Sequence, residues 1–237
     1  MKSIVKIVKV AVILIFFASS LSIYGQEEKE SVFSYDVEVD VVSSNVWRGE
    51  YLSGVSIQPG LSVSAFGLTL GAWGSTDFFG TYKELDFFIS YEIGGFSVTL
   101  TDYWWEGEHE PYFNKLKRDN RYLEAGIGYT FSGKFPLSLG INTMISGDGD
   151  KDANDKQFFS TYITASYPFT VGNIELEAGI GISPWEGMFS SKFDVATINL
   201  KASKNLQISP NLSIPLSVDL ILAPARDNAF FVFGLRF

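Results

Sequence analysis

The sequence holds a single histidine, His109, within the acidic triplet Glu108-His109-Glu110. Nucleophilic hydrolysis needs such an imidazole beside a serine, with a third group to orient it. A lone histidine in a polar, acidic run supplies no such set and reads as solvated loop. The run from Gly147 to Asp155 holds more oxygen: Asp148, Asp150, Asp152 and Asp155 have spacings at which carboxylates can wrap Ca2+. Ala153, however, stands where an EF-hand loop takes Gly, and Phe159 where it takes a bidentate Glu. The plainer reading is an acidic surface loop, with Ca2+ held by these aspartates as the alternative. No glycine-rich turn follows a strand and opens a helix, so no phosphate cradle is present. We expect neither an enzyme nor a cofactor.

The remaining charges are best understood through the elements that carry them. After residue 30 the apolar period is two, the period of a strand. In the run 174–182, Ile174, Leu176, Ala178, Ile180 and Ile182 alternate with Glu175, Glu177, Gly179 and Gly181. Leu123, Ala125, Ile127, Tyr129 and Phe131 do the same against Tyr122, Glu124, Gly126, Gly128 and Thr130. The polar face is made of Gly, Ser, Thr and isolated carboxylates, with few lysines. Soluble sheets mix more Lys and Arg into their outer faces. Apolar residues facing lipid and polar ones lining a lumen explain the pattern better.

The chain of 237 residues has net charge −9, no Cys and 16% aromatic residues. Its length suits one all-β domain. The negative charge argues against a nucleic-acid partner. Lys2, Lys6 and Lys9 precede a short apolar core, Val10 to Phe17, and a small-residue stretch ending at Gly25. This is the layout of a secretory signal peptide, expected over residues 1–25, with the barrel domain over 26–237. Every later apolar run is interrupted by charge or turn residues. A membrane-embedded chain of this kind must therefore close into a barrel.

The expected strands cover 33–47, 56–65, 67–77, 84–94, 95–105, 120–131, 134–146, 157–168, 171–182, 193–203, 208–221 and 228–237. Tight turns at Phe66-Gly67, Gly94-Gly95, Ser132-Gly133, Thr170-Val171-Gly172 and from Asn205-Leu206 alternate with longer polar loops. The expected fold is an all-β, up-and-down antiparallel transmembrane barrel of about twelve strands, in the outer membrane of a Gram-negative bacterium. An even strand count puts both termini on the periplasmic, short-turn side. Trp47, Tyr51, Phe78, Phe79, Tyr82, Trp104, Trp105, Tyr112 and Trp185 form one expected aromatic girdle. Phe33, Phe96, Tyr129, Phe131, Tyr167, Phe169 and Phe237 form the other.

The pleat then points Asp36, Glu38, Asp40, Glu84, Asp86, Glu124, Glu175, Glu177 and Asp219 into the lumen, with Arg48, Lys201 and Arg236 as inward cations. Asp36 and Arg236 are candidates to pair across the barrel closure. Carboxylates outnumber cations, so the lining is acidic and wants water. Inward Trp73, Phe88, Tyr103, Tyr122, Met144 and Tyr162 narrow the lumen. Inward glycines such as Gly60, Gly71, Gly140 and Gly181 leave room in it. The reading that follows is a narrow, cation-preferring passive channel for small solutes. The alternative is a non-conducting barrel that acts as a scaffold or binding surface through its loops.

The segment Ser43-Ser44-Asn45-Val46-Trp47-Arg48-Gly49 resembles a first-strand motif of the TorF-type porins, a family of outer-membrane barrels. Asn45 stands where that motif carries an aromatic residue. Glu84-Leu85-Asp86, Tyr91 and Gly95-Phe96-Ser97 resemble the family's acidic strand and following hairpin, and Tyr122-Leu123-Glu124 its next acidic strand. The resemblance implies fold and location more than activity. The last strand, ending on Phe237, looks like the signal read by the barrel-assembly machinery. Outer-membrane lipid and lipopolysaccharide are the other expected partners. Mature protein is expected to begin near Gln26 and to fractionate with the outer membrane; N-terminal sequencing that finds Met1 retained would remove this reading.

Overall fold

A computed structural model describes residues 33–106, 121–210 and 212–237. The expected export segment, Tyr112 and the Glu108-His109-Glu110 triplet lie outside the described residues. Twelve strands close into an antiparallel barrel. They are β1 (Phe33–Val42), β4 (Ser56–Ala65), β5 (Leu68–Asp77), β6 (Lys83–Ile93), β7 (Phe96–Glu106), β8 (Arg121–Thr130), β9 (Ser138–Gly147), β10 (Thr161–Val171), β11 (Ile174–Ser183), β12 (Asp194–Ser209), β13 (Leu212–Ala223) and β14 (Asn228–Arg236). Each pairs with its neighbours in the chain, and β14 returns to β1. A further hairpin, β2 (Asn45–Trp47) and β3 (Glu50–Ser53), stands apart from the wall. Among the described residues no helix is long and apolar enough to cross a membrane.

The pleat sorts side chains as the alternation requires. On β8 Tyr122, Glu124 and Gly126 are buried, while Ile127 and Tyr129 are exposed. Leu70, Ile89, Leu100, Ile141, Leu200 and Leu220 are exposed on the outer wall. A belt of this kind is stable against hydrocarbon and costly against water. The small inward cluster of Tyr122, Met144, Tyr162, Phe189 and Ala196, flanked by Trp47, Tyr103, Trp105 and Met188, fills the long-loop half of the barrel.

Turn chemistry fixes the short-turn rim. Phe66-Gly67 and Gly94-Gly95 have positive φ in both residues of their turns, the conformation that matches the twist of a two-residue hairpin. The turn expected at Asn205-Leu206 is instead strand: Asn205 and Leu206 pair with Pro215 and Ile214. The chain reverses after Ser209, at Pro210, whose fixed φ and missing N–H suit a turn. β9 likewise starts later than the pattern predicts, at Ser138, because Pro136 cannot donate to a ladder.

Most of the short-turn girdle is found: Phe33, Phe96, Tyr129, Phe131, Phe169 and Phe237 are exposed. At the opposite rim Tyr51, Phe78, Phe79 and Trp185 are exposed. Trp47 and Trp105 do not belong to that girdle; they pack inside the barrel.

The seam between β1 and β14 is the shortest pairing of the wall. Asp40, Val41 and Val42 oppose Arg236, Leu235 and Gly234. Phe237 extends it with a reciprocal pair of backbone bonds to Val39, at 3.0 and 3.1 Å. Arg236 reaches Asp40 at 2.6 Å and Glu38 at 2.8 Å. This differs from the expected Asp36 pairing, because the stagger of the closing strands sets Arg236 opposite Asp40. Deleting Phe237 should lower the yield of heat-modifiable barrel more than Phe237→Asp does. The deletion removes closure bonds, whereas the substitution keeps the backbone and loses only the interfacial ring. Equal yields of folded protein for the deletion and the parent, read as the mobility shift on unheated gels, would contradict the seam's role.

Candidate functional site

The first strand, expected to run to residue 47, ends at Val42, and the chain turns into the lumen. Ser43 anchors the departure: its N–H donates to the Phe233 carbonyl at 2.8 Å, and its hydroxyl accepts the Phe233 N–H at 2.9 Å. β2 and β3 then pair through Val46–Tyr51 and Trp47–Glu50. Arg48 and Gly49 form the tip, with φ of 50° and 82°. Arg48 holds this left-handed geometry at a cost of roughly 1–2 kcal/mol. Gly49 is needed twice, since a Cβ there would also press on Ala196, Thr197 and Ala223 of the wall.

The tip is where the hairpin meets the wall. Arg48 donates from Nη1 to Glu124 Oε2 at 2.5 Å and from Nη2 to Oε1 at 2.9 Å. Its guanidinium lies 4.5 Å from the Trp47 ring centre, 4.8 Å from Tyr162 and 5.0 Å from Phe189. Tyr103 adds its hydroxyl to Glu124 at 3.1 Å. The side chains of Arg48 and Glu124 are only 11% and 4% exposed. A two-toothed, partly desolvated pair sandwiched by rings is the strong form of an ion pair. Trp47 meets Tyr103, Trp105 and Phe189 edge-on at 5.4–5.7 Å. Above the tip Glu50 pairs with Arg226 at 2.8 Å, and Arg226 also donates to the Met188 carbonyl. The hairpin thus lies within the long-loop half of the barrel, its tip packed on the inner wall.

A second carboxylate group stands beside it. Glu84 accepts the Tyr82 hydroxyl at 2.7 Å and the indole N–H of Trp105. Burial, and then the charge of Glu84, push the Tyr82 phenol far above its ordinary pKa, so it stays a donor. Asp86 is flanked in register by Trp73 and Tyr103, and its Oδ1 has no hydrogen-bond partner. Glu84 and Asp86 are 8% and 6% exposed.

The short-turn half is open. Asp36, Glu175, Glu177 and Lys201 are exposed there. Lys201 lies in register between Glu177 and Asp219, and Asp219 Oδ1 lacks a partner. A cavity of about 330 Å3 is lined by Asp40, Gln58, Lys201, Asp219 and Arg236, with Asn45 of the hairpin. The inward glycines give less room than expected. A Cβ at Gly71 would meet Phe88, at Gly60 Glu38, and at Gly181 the Tyr162 hydroxyl. Neighbouring side chains occupy the space they leave.

The four loop aspartates do not converge. Asp148 and Asp155 pair with Lys151 at 2.6 and 3.5 Å, raising the Lys151 pKa. Asp152 accepts the backbone N–H groups of Lys156 and Asn154, which hold its carboxyl below the usual range. Asp150 turns inward to Ser160 and Gln157. Among the described residues no group of three His, Cys, Asp or Glu side chains is arranged to hold a metal.

No family profile and no curated protein matches the chain. Among solved structures it is similar to an outer-membrane channel from Pseudomonas putida F1, at 14% identity and TM-score 0.45, covering 89% of this chain and 98% of that one. It is also similar to an engineered Rhodopseudomonas blastica porin, at 13% and 0.40, over 77% of this chain and 55% of the porin. A third likeness is to Wzi, a carbohydrate-binding outer-membrane barrel of Escherichia coli involved in group 1 capsule assembly, at 12% and 0.32, over 86% and 56%. The chain spans about half the length of the Rhodopseudomonas blastica porin chains it matches.

Glu124→Ala should free the hairpin without opening the wall. Breaking a buried pair from one side costs about 3–5 kcal/mol, enough to release the hairpin. Amide exchange at residues 45–53 should rise steeply while β8 and β9 stay protected; unchanged exchange in the hairpin would show that Glu124 does not hold it.

Proposed function

We propose that this chain is a narrow passive channel of a Gram-negative outer membrane, prefers small cations, and is held shut by the β2–β3 hairpin. One observation carries the reading. The cation that answers Glu124 belongs to the hairpin, not to the wall. Withdrawing the hairpin therefore removes the stopper and uncovers Glu84, Asp86 and Glu124 together. Carboxylates on low-dielectric walls focus a negative potential and favour cations. The open half, with Asp36, Glu38, Asp40, Glu175, Glu177 and Asp219 against Lys201 and Arg236, extends that bias toward the short turns. The segment that resembles the TorF-type porins, residues 43–49, is the one that forms the hairpin's first arm and tip. In this reading the long loops face lipopolysaccharide, the short turns face the periplasm, and Phe237 is presented to the barrel-assembly machinery.

The packing of Trp47, Trp105, Tyr162 and Phe189 favours a second reading, a non-conducting barrel that serves as a scaffold through its long loops. Planar-bilayer recording separates the two. Parent protein should pass small, infrequent currents that prefer K+ over Cl−, more so at low salt where screening is weak. A Trp47→Ala/Arg48→Ser variant should conduct more. Adding Glu84→Gln, Asp86→Asn and Glu124→Gln to it should bring the K+/Cl− permeability ratio toward unity. Asp148→Asn/Asp152→Asn should change it little, since those residues sit on the loop beyond the stopper. Correctly inserted hairpin variants that carry no current would leave the scaffold reading. Anion preference would overturn the role given to the carboxylates.

A further inference from the structure

We infer that Glu84 and Asp86 form a binding site for a divalent cation of the Ca2+ class, enclosed in the barrel beside the hairpin. The inference goes beyond the channel reading and does not need conduction, because the site is complete in the closed barrel.

The argument begins with charge. The two carboxyl groups are two residues apart on one strand, so both face inward at adjacent levels of the wall. Both are more than nine-tenths buried. Among the described residues no Lys or Arg lies within ion-pair distance of either. The nearest cation on the hairpin, Arg48, has both terminal nitrogens committed to Glu124. Buried carboxylates without a counter-charge are costly, and the native remedies are a metal or a proton. The hydrogen bonding then distinguishes the two groups. Glu84 is oriented by Tyr82 and Trp105. Asp86 keeps one oxygen, Oδ1, without any partner although it is out of reach of solvent. One carboxylate oriented by two donors beside another with a bare, buried oxygen is an arrangement that a cation shared between them would satisfy.

The chemistry of the surroundings selects the ion. Every candidate ligand is oxygen: the two carboxylates, the Tyr82 hydroxyl, and Ser75, which faces Glu84 across the β5–β6 pair. Asn45 and Gln58 donate their amide N–H groups to the Ser75 hydroxyl, at 3.3 and 3.4 Å, and leave its lone pairs beside Glu84 as a further oxygen of the site. There is no thiolate and no imidazole, so soft or borderline metals have nothing to prefer. Oxygen ligands from flexible side chains in irregular array suit Ca2+ better than the strict octahedron of Mg2+. A double positive charge neutralises both carboxylates at once. Because Asn45 belongs to β2 and bonds Ser75 beside Glu84, the bound ion also sits where the hairpin meets the wall.

Tryptophan-sensitised Tb3+ luminescence tests this on detergent-purified, full-length barrel, since Trp105 bonds Glu84 directly and Trp73 opposes Asp86. Sensitised emission is expected from the parent and should be competed away by Ca2+. Asp86→Asn and Glu84→Gln should each weaken Tb3+ binding by about tenfold or more, the scale on which even a supporting partner's loss weakens a metal site. Asp148→Asn/Asp152→Asn should leave it unchanged. Ca2+ should also raise the Tm of the parent, as any ligand of the folded state does. This last measurement needs no variant to fold. Absence of sensitised emission together with a Ca2+-independent Tm overturns the site and means that a shared proton neutralises the pair. Emission that survives Asp86→Asn but disappears in the loop variant overturns it in favour of the 147–156 loop. A barrel that binds Tb3+ without conducting refutes the channel and leaves the site. One that conducts without binding does the reverse.

Discussion

Hydrocarbon offers no hydrogen bonds, and the rest of this structure depends on that. Each wall strand must find partners on both edges, so β14 has to come back to β1 however short the resulting seam. Once the wall is closed, its outer face favours apolar side chains, and the Asp102–Arg121 and Thr143–Thr161 pairs on that face satisfy each other near the long-loop rim. The pleat turns most of the strands' carboxylates inward. In the proposed channel an acidic interior follows from this confinement: a net negative chain with one face given to lipid concentrates its carboxylates in the remaining space.

The interior answers that concentration in two ways. At the short-turn half the charged side chains are exposed to solvent, and Lys201 and Arg236 interleave with carboxylates on adjacent strands. At the long-loop half side chains fill the space, and charge must be met by specific contacts. There the chain folds a piece of itself into the barrel and brings Arg48 to Glu124 through a turn that only a left-handed Arg-Gly pair could make. Aromatic rings from the wall and from Phe189 seal the pair from water and strengthen it.

The wall was legible because period two has one simple cause, the pleat, acting at every residue. The expectation of an inward set from Asp36 to Arg236 rests on the same cause, and the turns where Gly supplies positive φ follow from it directly. The hairpin was not legible. Trp47 has the same odd parity as Tyr35, Val37, Val39 and Val41, so local pattern alone extends β1 to residue 47. The clues were the break at Ser43-Ser44 and the Arg-Gly pair, both of which also suit a rim loop. Phe189 was hidden for a similar reason. It is one of three rings in its loop, the others being the exposed Trp185 and Phe193, and what buries it lies far away in sequence, on β2 and β10. Carboxylate partners followed register, and register depends on stagger, which the sequence does not state; Arg236 therefore found Asp40 and Glu38 in place of Asp36.

The seam also gives the molecule a history. β1 is the first wall strand to be made and β14 the last, so the earliest strand waits with one edge bare until the final nine residues of the wall arrive. Every intermediate before that moment is an open sheet with two sticky borders, the form most prone to join with other chains. Completion is all-or-none in time as well as in geometry. A chain cut short by a few residues would lose the event that turns a reactive ribbon into an inert cylinder.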